Sequence, residues 1–198
     1  MRRGITEFRL HGRGGQGIVV AASIFAEAVF LSGKYARAFS LFGAERRGAP
    51  VTAFIRISPE RLMPRSRIYH PDYVVVFDAT ISRQTLFSGL QEEGNLIINA
   101  GEDWRKLFEK NRTNLCQYKV FQIEAKEIAL KNNLAIGSFP MVNTVMLGAM
   151  AKVSGLVNLE HLTASIKKRV SVSLDANINA TTEGFASVKE VANLAVDR

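Results

Sequence analysis

The sequence predicts an α/β fold: a three-layer α/β/α arrangement around a mostly parallel sheet, with a helical C-terminal third. Three observations lead there. β-Branched and aromatic runs alternate with segments of helical periodicity from residue 5 to about residue 132. A glycine-rich turn, Gly12 to Gly17 (GRGGQG), separates the first strand from the first helix. Tyr73 to Phe77 (YVVVF) is a continuous apolar run, the mark of a strand buried on both faces.

The elements follow in order. Ile5 to His11 reads as a strand. Gln16 to Ser32 reads as a helix, with Ile18, Ala21, Ala22, Phe25, Ala28 and Val29 on one face and Gly33 as its stop. Tyr35 to Leu41 and Val51 to Ile57 read as strands, joined by a loop holding Gly43, Gly48 and Pro50. Ser58 to Pro71 is arginine-rich and broken by prolines, so it reads as a surface loop. Beyond Tyr73 to Phe77, helices are expected at Arg83 to Leu90, Asp103 to Lys110 and Ala125 to Asn132. Strands are expected at Gly94 to Asn99 and Tyr118 to Ile123. After about residue 137 the chain reads as purely helical: Asn143 to Ser154, Leu159 to Arg169, and Thr182 to Val196 with Thr182 as cap.

Length and composition narrow the function. The chain has 198 residues, 47% hydrophobic and 22% charged. That suits one domain, residues 1–198, able to fold without metal or disulfide. The single cysteine, Cys116, cannot hold an iron–sulfur cluster alone, and a reducing cytoplasm is the expected setting. The most apolar run, Ile18 to Leu31, is interrupted by Ser23 and Glu27 and falls short of the ~20 residues that a membrane span needs. Residues 1–67 hold twelve basic and four acidic side chains and so carry the entire net charge of +8. An anionic ligand or an acidic partner is favoured over nucleic acid, because no recognition motif accompanies the arginines.

Gly12, Gly14 and Gly17 fit G-x-G-x-x-G. Such glycines let a backbone approach a ligand closely, and the following helix N-terminus offers free N–H groups to an anion. A dinucleotide site also wants an acid ~20 residues on for the ribose hydroxyls. The second strand ends Ala38-Phe39-Ser40-Leu41 instead, although Arg37 leaves an NADP variant open. A ligand-free tight turn is the other reading of the loop.

The loop GRGGQG is followed by GAERRGAPVTAFIRI (residues 43–57), DYVVVFD (residues 72–78) and NTVMLGA (residues 143–149). Together these resemble the gamma subunit of the 2-oxoacid:ferredoxin oxidoreductases over roughly residues 5–190. The segment Glu45 to Val51 is most similar to the pyruvate enzymes; subunits for 2-oxoglutarate, branched-chain oxoacids or indolepyruvate are the neighbouring alternatives. The resemblance implies a gamma-type domain (domain III-like) in an assembly with alpha, beta and delta subunits. It implies thiamine diphosphate, Mg and [4Fe-4S] clusters on those partners, and none on this chain. Coenzyme A would be a co-substrate and ferredoxin the electron acceptor. No catalytic residue, nucleic acid or membrane is implied.

The candidate ligand-side residues are Gly12, Gly14, Gly15, Gln16, Gly17, Arg46, Arg47 and Gly48. Guanidinium forks suit carboxylates and phosphates, and Arg47, beside Gly48, is the preferred one. Asp78 ends a buried strand and is expected to cap the next helix. Asn143 is expected to cap its helix, and Asn177 and Asn179 to lie in a loop. His11, His70 and His161 show no ligand spacing. Gly148 and Ala149 point to a close helix–helix or subunit contact.

Overall fold

A computed structural model describes residues 4–41, 48–61, 66–105 and 118–191. The order begins β1 (Thr6–Arg13), α1 (Ile18–Leu31), β2 (Tyr35–Leu41), β3 (Pro50–Ser58), β4 (Tyr73–Val76), α2 (Arg83–Phe87) and β5 (Asn95–Asn99). A 3-10 turn (Glu102–Arg105), β6 (Lys119–Ile123), α3 (Ala125–Lys131) and the short strands β7 (Ala135–Ile136) and β8 (Phe139–Pro140) follow. The chain then forms α4 (Asn143–Ser154), α5 (Leu159–Arg169), α6 (Leu174–Ser187) and β9 (Lys189–Val191).

The main sheet has seven strands in the order β2-β3-β1-β4-β5-β6-β9. β1, β4, β5 and β6 run parallel, while β3 and β9 are antiparallel to their neighbours. β2, antiparallel to β3, therefore points the same way as β1. The sheet is mostly parallel, as expected, with helices on both faces.

Alternation along each strand sets the two faces. Phe8, Leu10, Ala53, Ile55, Val75 and Ile97 face α1, α4, α5 and α6 and build the larger core. Val74, Val76, Leu96 and Ile98 face the opposite way and pack with Leu86 of α2, Leu90 just beyond it and Trp104 of the 3-10 turn. On that second face β1 and β3 bury charge. Arg56 Nε donates to Glu7 Oε1 at 2.6 Å, with both side chains almost fully enclosed. Arg9 donates to the carbonyls of Thr85 and Leu86.

α4 and α6 cross closely through glycine. A Cβ on Gly148 would lie 2.0 Å from Thr181 O, and one on Gly184 would lie 2.2 Å from Val145 O. Thr144 Oγ1 donates to Asn177 Oδ1, and Thr181 Oγ1 donates to the Thr144 carbonyl. The small-residue contact expected at Gly148 is thus an internal helix crossing.

Several expectations are corrected. Thr182 to Val196 is not one helix. α6 starts eight residues earlier, at Leu174, places Thr182 mid-helix and ends at Ser187, before β9 adds to the sheet edge. Asn177 is therefore buried in a helix, and Asn179 stands on it exposed. Among the described residues after 137, the strands β8 and β9 interrupt the expected helical run. β3 inserts antiparallel between β1 and β2, an order that strand composition does not encode. α2 stops at Phe87, short of Leu90, and the residues at Glu102–Arg105 form a 3-10 turn. Residues 106–117, including Phe108 and Cys116, lie outside the described residues.

Candidate functional site

The chain leaves β1 through α1 to β2 and β3 on one side, then returns to β4 on the other. Connections on opposite sides leave a crevice at the carboxyl ends of β1 and β4, where open α/β sheets take ligands. The glycine loop follows β1 there, and Asp78 to Thr80 follow β4.

The loop is shaped by its glycines. Gly15 (φ 97°) and Gly17 (φ 73°) take left-handed backbone that a side chain would strain. A Cβ on Gly12 would strike Ile18 at 2.6 Å, so Gly12 allows the first turn of α1 to close on β1. Gly14 N donates to Ala49 O at 2.8 Å, and Gly48 N donates to Gly14 O at 3.1 Å. The two motifs of the sequence, GRGGQG and RRGAP, are thereby locked side by side through main chain. Arg46 and Arg47 lie outside the described residues, and their C-terminal neighbour Gly48 is fixed against the loop.

Side chains brace the same corner. Gln16 Oε1 accepts from Arg13 N at 2.8 Å, and Gln16 Nε2 donates to Asp78 Oδ2 at 3.0 Å. The Gln16 amide thus bonds the loop's own backbone on one side and Asp78 on the other. Arg13 donates to Gly48 O and Thr80 Oγ1, and its Nε lies 3.4 Å from Asp78 Oδ2. Asp78 Oδ1 accepts from Thr80 N and Oγ1. Burial pulls the Asp78 carboxyl upward, but the bonds from Thr80 and Gln16 and the charge of Arg13 outweigh it and hold it below the usual range. Asp78 does not cap α2, whose N-cap is Ser82. It ties β4 to the glycine loop.

The structure brings together Gly12, Gly14, Gly15, Gln16, Gly17 and Gly48. Arg13, Ala49, Thr80 and Asp78 complete the corner. Strand alternation held a signal for one of these contacts: Arg13 and Asp78 fall on the same sheet face. Beneath them, His11 sits on that face, 4% exposed. Burial, then Arg9 and Arg67, lower its pKa to about 3, so the ring is neutral. Among the described residues no group of three or more His, Cys, Asp or Glu side chains could hold a metal ion, and no helix is long and apolar enough to cross a membrane.

A family model for pyruvate ferredoxin/flavodoxin oxidoreductase matches residues 7–187. The chain belongs to that family. Among similar proteins, the pyruvate/ketoisovalerate oxidoreductases common subunit gamma of Pyrococcus abyssi is 43% identical over 181 residues, covering 90% of this chain and 95% of the relative. Pyruvate synthase subunit PorC of Methanothermobacter marburgensis is 44% identical over 185 residues, covering 92% and 97%. The crystal structure of pyruvate oxidoreductase subunit PORC from Thermotoga maritima matches with a TM-score of 0.80 and 35% identity over 94% of this chain and 98% of that one. Within the pyruvate ferredoxin/flavodoxin oxidoreductase family, this chain is a gamma subunit. The resemblance read from the glycine loop and the RRGAP segment is confirmed.

Proposed function

We propose that this gamma subunit works in an assembly that oxidatively decarboxylates pyruvate. Pyruvate loses CO2, its acyl carbon is oxidised by loss of two electrons, which pass to ferredoxin, and coenzyme A takes the acetyl group as a thioester, its thiol proton going to solvent. The carrying observation is near-full-length similarity to subunits named for pyruvate, at identities above 40%. Thiamine diphosphate, Mg and [4Fe-4S] clusters are assigned to partner subunits of alpha, beta and delta type. The one cysteine of this chain fits that division, since a cluster needs several thiolates.

For the chain itself, the proposed role is structural and ligand-side. The glycine loop and the Gly48 turn present main chain at the crevice, and Arg46 and Arg47 immediately precede Gly48 in sequence. Free N–H groups and guanidinium forks suit the phosphates of coenzyme A. Gly14, Gly15, Gly17, Gly48, Arg46 and Arg47 are the proposed contacts; Gly12 and Gln16 shape the loop. The cytoplasm is the proposed location. One relative's name supports a second reading: a gamma subunit common to pyruvate and ketoisovalerate enzymes.

The test is dye reduction by the complex that copurifies with tagged chain. It is run with pyruvate, 3-methyl-2-oxobutanoate, 2-oxoglutarate and indolepyruvate, with and without coenzyme A. Coenzyme A-dependent activity highest on pyruvate is expected. Equal activity on the branched-chain acid in a second complex supports the shared subunit. Preference for 2-oxoglutarate or indolepyruvate refutes the substrate assignment.

A further inference from the structure

We infer that Arg9 and His11 form a buried binding site for a carboxylate, with Arg67 at its rim. The site lies on the second face of the sheet, below the glycine-loop corner, and does not depend on the oxoacid reaction proposed above.

The second face of β1 carries Glu7, Arg9, His11 and Arg13 in alternation. Three of them are charged, and two of those are matched. Glu7 pairs with Arg56 at 2.6 Å, and Arg13 lies 3.4 Å from Asp78. Arg9 is different. It is 5% exposed, and its Nη2 donates to the carbonyls of Thr85 and Leu86, which are dipoles without net charge. Its strand neighbours on that face are Phe54 of β3 and Val74 of β4, both fully buried. Among the described residues no carboxylate pairs with it. Burial, then the charge of Arg67, pull its pKa down to about 10, so Arg9 stays charged at neutral pH and bears the cost of its enclosure. A buried guanidinium ordinarily has an anionic partner.

Two nitrogens are orphaned at the same place. Arg9 Nε and His11 Nε2 are buried and have no hydrogen-bond partner among the described residues. Arg9 and His11 alternate on one strand, so their Cα atoms stand about 7 Å apart with both side chains on one face. Arg9 Nε is a donor. The His11 ring is neutral, and Thr52 Oγ1 lies 3.4 Å from its Nδ1. With the Thr52 hydroxyl donating to Nδ1, the ring proton stands on Nε2, and the second orphan is a donor too. Buried donors without acceptors mark a missing partner.

Charge and geometry select that partner. One unmatched cation calls for one negative charge, and two N–H groups suit the two oxygens of a carboxylate. A phosphate would bring more charge and more oxygens than these donors serve. Arg67 gives the approach. It is exposed, its guanidinium lies 5.5 Å over the Tyr69 ring, and its charge acts on both Arg9 and His11. The segment that holds it is tied to the sheet by Arg56 Nη2 donating to Ser66 O at 3.3 Å, and by the buried Ile68.

The test titrates the full chain with formate and acetate against chloride at matched ionic strength and neutral pH. Wild type is expected to gain a saturable rise in Tm with a carboxylate. In a long-range nitrogen–proton spectrum, His11 is expected to carry its proton on Nε2, with that signal moving as formate binds. Arg9→Met is expected to weaken formate binding about tenfold or more, the worth of a hydrogen bond to a charged group. Arg67→Gln, at an exposed position, is expected to weaken it about two- to fivefold. Absence of a carboxylate-specific effect overturns the proposal, as does wild-type affinity in Arg9→Met. A His11 ring that keeps its proton on Nδ1 at saturating formate also overturns it, and is the pattern of a bridging water. Should Arg9→Met not fold, the tautomer and Arg67→Gln decide: Nδ1 protonation or undiminished binding in Arg67→Gln refutes the site. Equilibrium dialysis of labelled formate against the assembled complex separates the sources. Binding retained there assigns a free carboxylate, and binding lost on assembly assigns an acidic side chain of a partner subunit.

Discussion

Gly148→Ala tests how the helical layer is built. The added Cβ would stand 2.0 Å from Thr181 O and 2.6 Å from Phe185 N. Both are backbone atoms of α6, so no flexible side chain can move aside. Relief requires α4 and α6 to separate by about 1 Å, which also stretches the bonds from Thr144 to Asn177 and from Thr181 to Thr144. Overpacking of a closed core costs about 1–3 kcal/mol, and the backbone clash puts this site at the upper end. Replacing a helical glycine by alanine returns about 1 kcal/mol. The net loss is about 2 kcal/mol, a fall in Tm of about 4–8 °C for a chain of this size. Thermal unfolding followed by circular dichroism measures it. Gly101→Ala, where the nearest atom to a new Cβ is Glu124 Oε1 at 3.8 Å, is the near-neutral control. A Gly148→Ala chain melting at or above wild type would refute the account of the crossing.

Further predictions concern the charged face of the sheet. His11, lowered to about 3 by burial and then by Arg9 and Arg67, stays neutral in the native chain, whereas an unfolded histidine takes its proton near pH 6.5. Stability therefore falls as pH drops from 7 toward 3. The share lost between pH 7 and 5 is about 2 kcal/mol. Urea unfolding at both pH values should show a smaller difference in His11→Gln, and an unchanged difference would contradict the buried neutral ring. Arg56→Met leaves Glu7 charged and enclosed, and should cost about 3–5 kcal/mol; the double variant Glu7→Gln/Arg56→Met should recover part of that in the same assay. Asp78→Ala removes the acceptor for Gln16 and Thr80. Faster amide exchange at Gly14 to Gly17 is expected, with β6 unaffected, and unchanged exchange in the loop would show that Asp78 is not its anchor.

Much of this fold is legible in local pattern. Tyr73–Val76 and Asn95–Asn99 are apolar on both sides and could only be central strands. The glycine spacing marks the β1–α1 turn because the left-handed backbone at Gly15 and Gly17 strains most side chains. What local pattern misses is pairing. Nothing in Pro50–Ser58 says that it enters antiparallel between β1 and β2, since direction is decided by long-range register. Lys189–Val191 is too short and polar to read as a strand, and it becomes one because β6 offers an open edge. The N-terminal half of α6, rich in asparagine, reads as loop by propensity. Asn177 becomes helical because its side chain is satisfied by Thr144, Val172 and Ser173. At the site, the motif residues are visible in sequence. The approach of Asn143 to Gly17, more than a hundred residues apart, is a product of packing.

Reconstitution tests the central claim most directly. Partner subunits prepared without this chain are assayed for coenzyme A-dependent pyruvate oxidation with a dye acceptor, and the purified chain is then added back. The account predicts no activity from the chain alone, little from the partners alone, and recovery that saturates as the chain is added. Pyruvate oxidation by the isolated chain, or full activity of the partners without it, would contradict the role given to the gamma subunit.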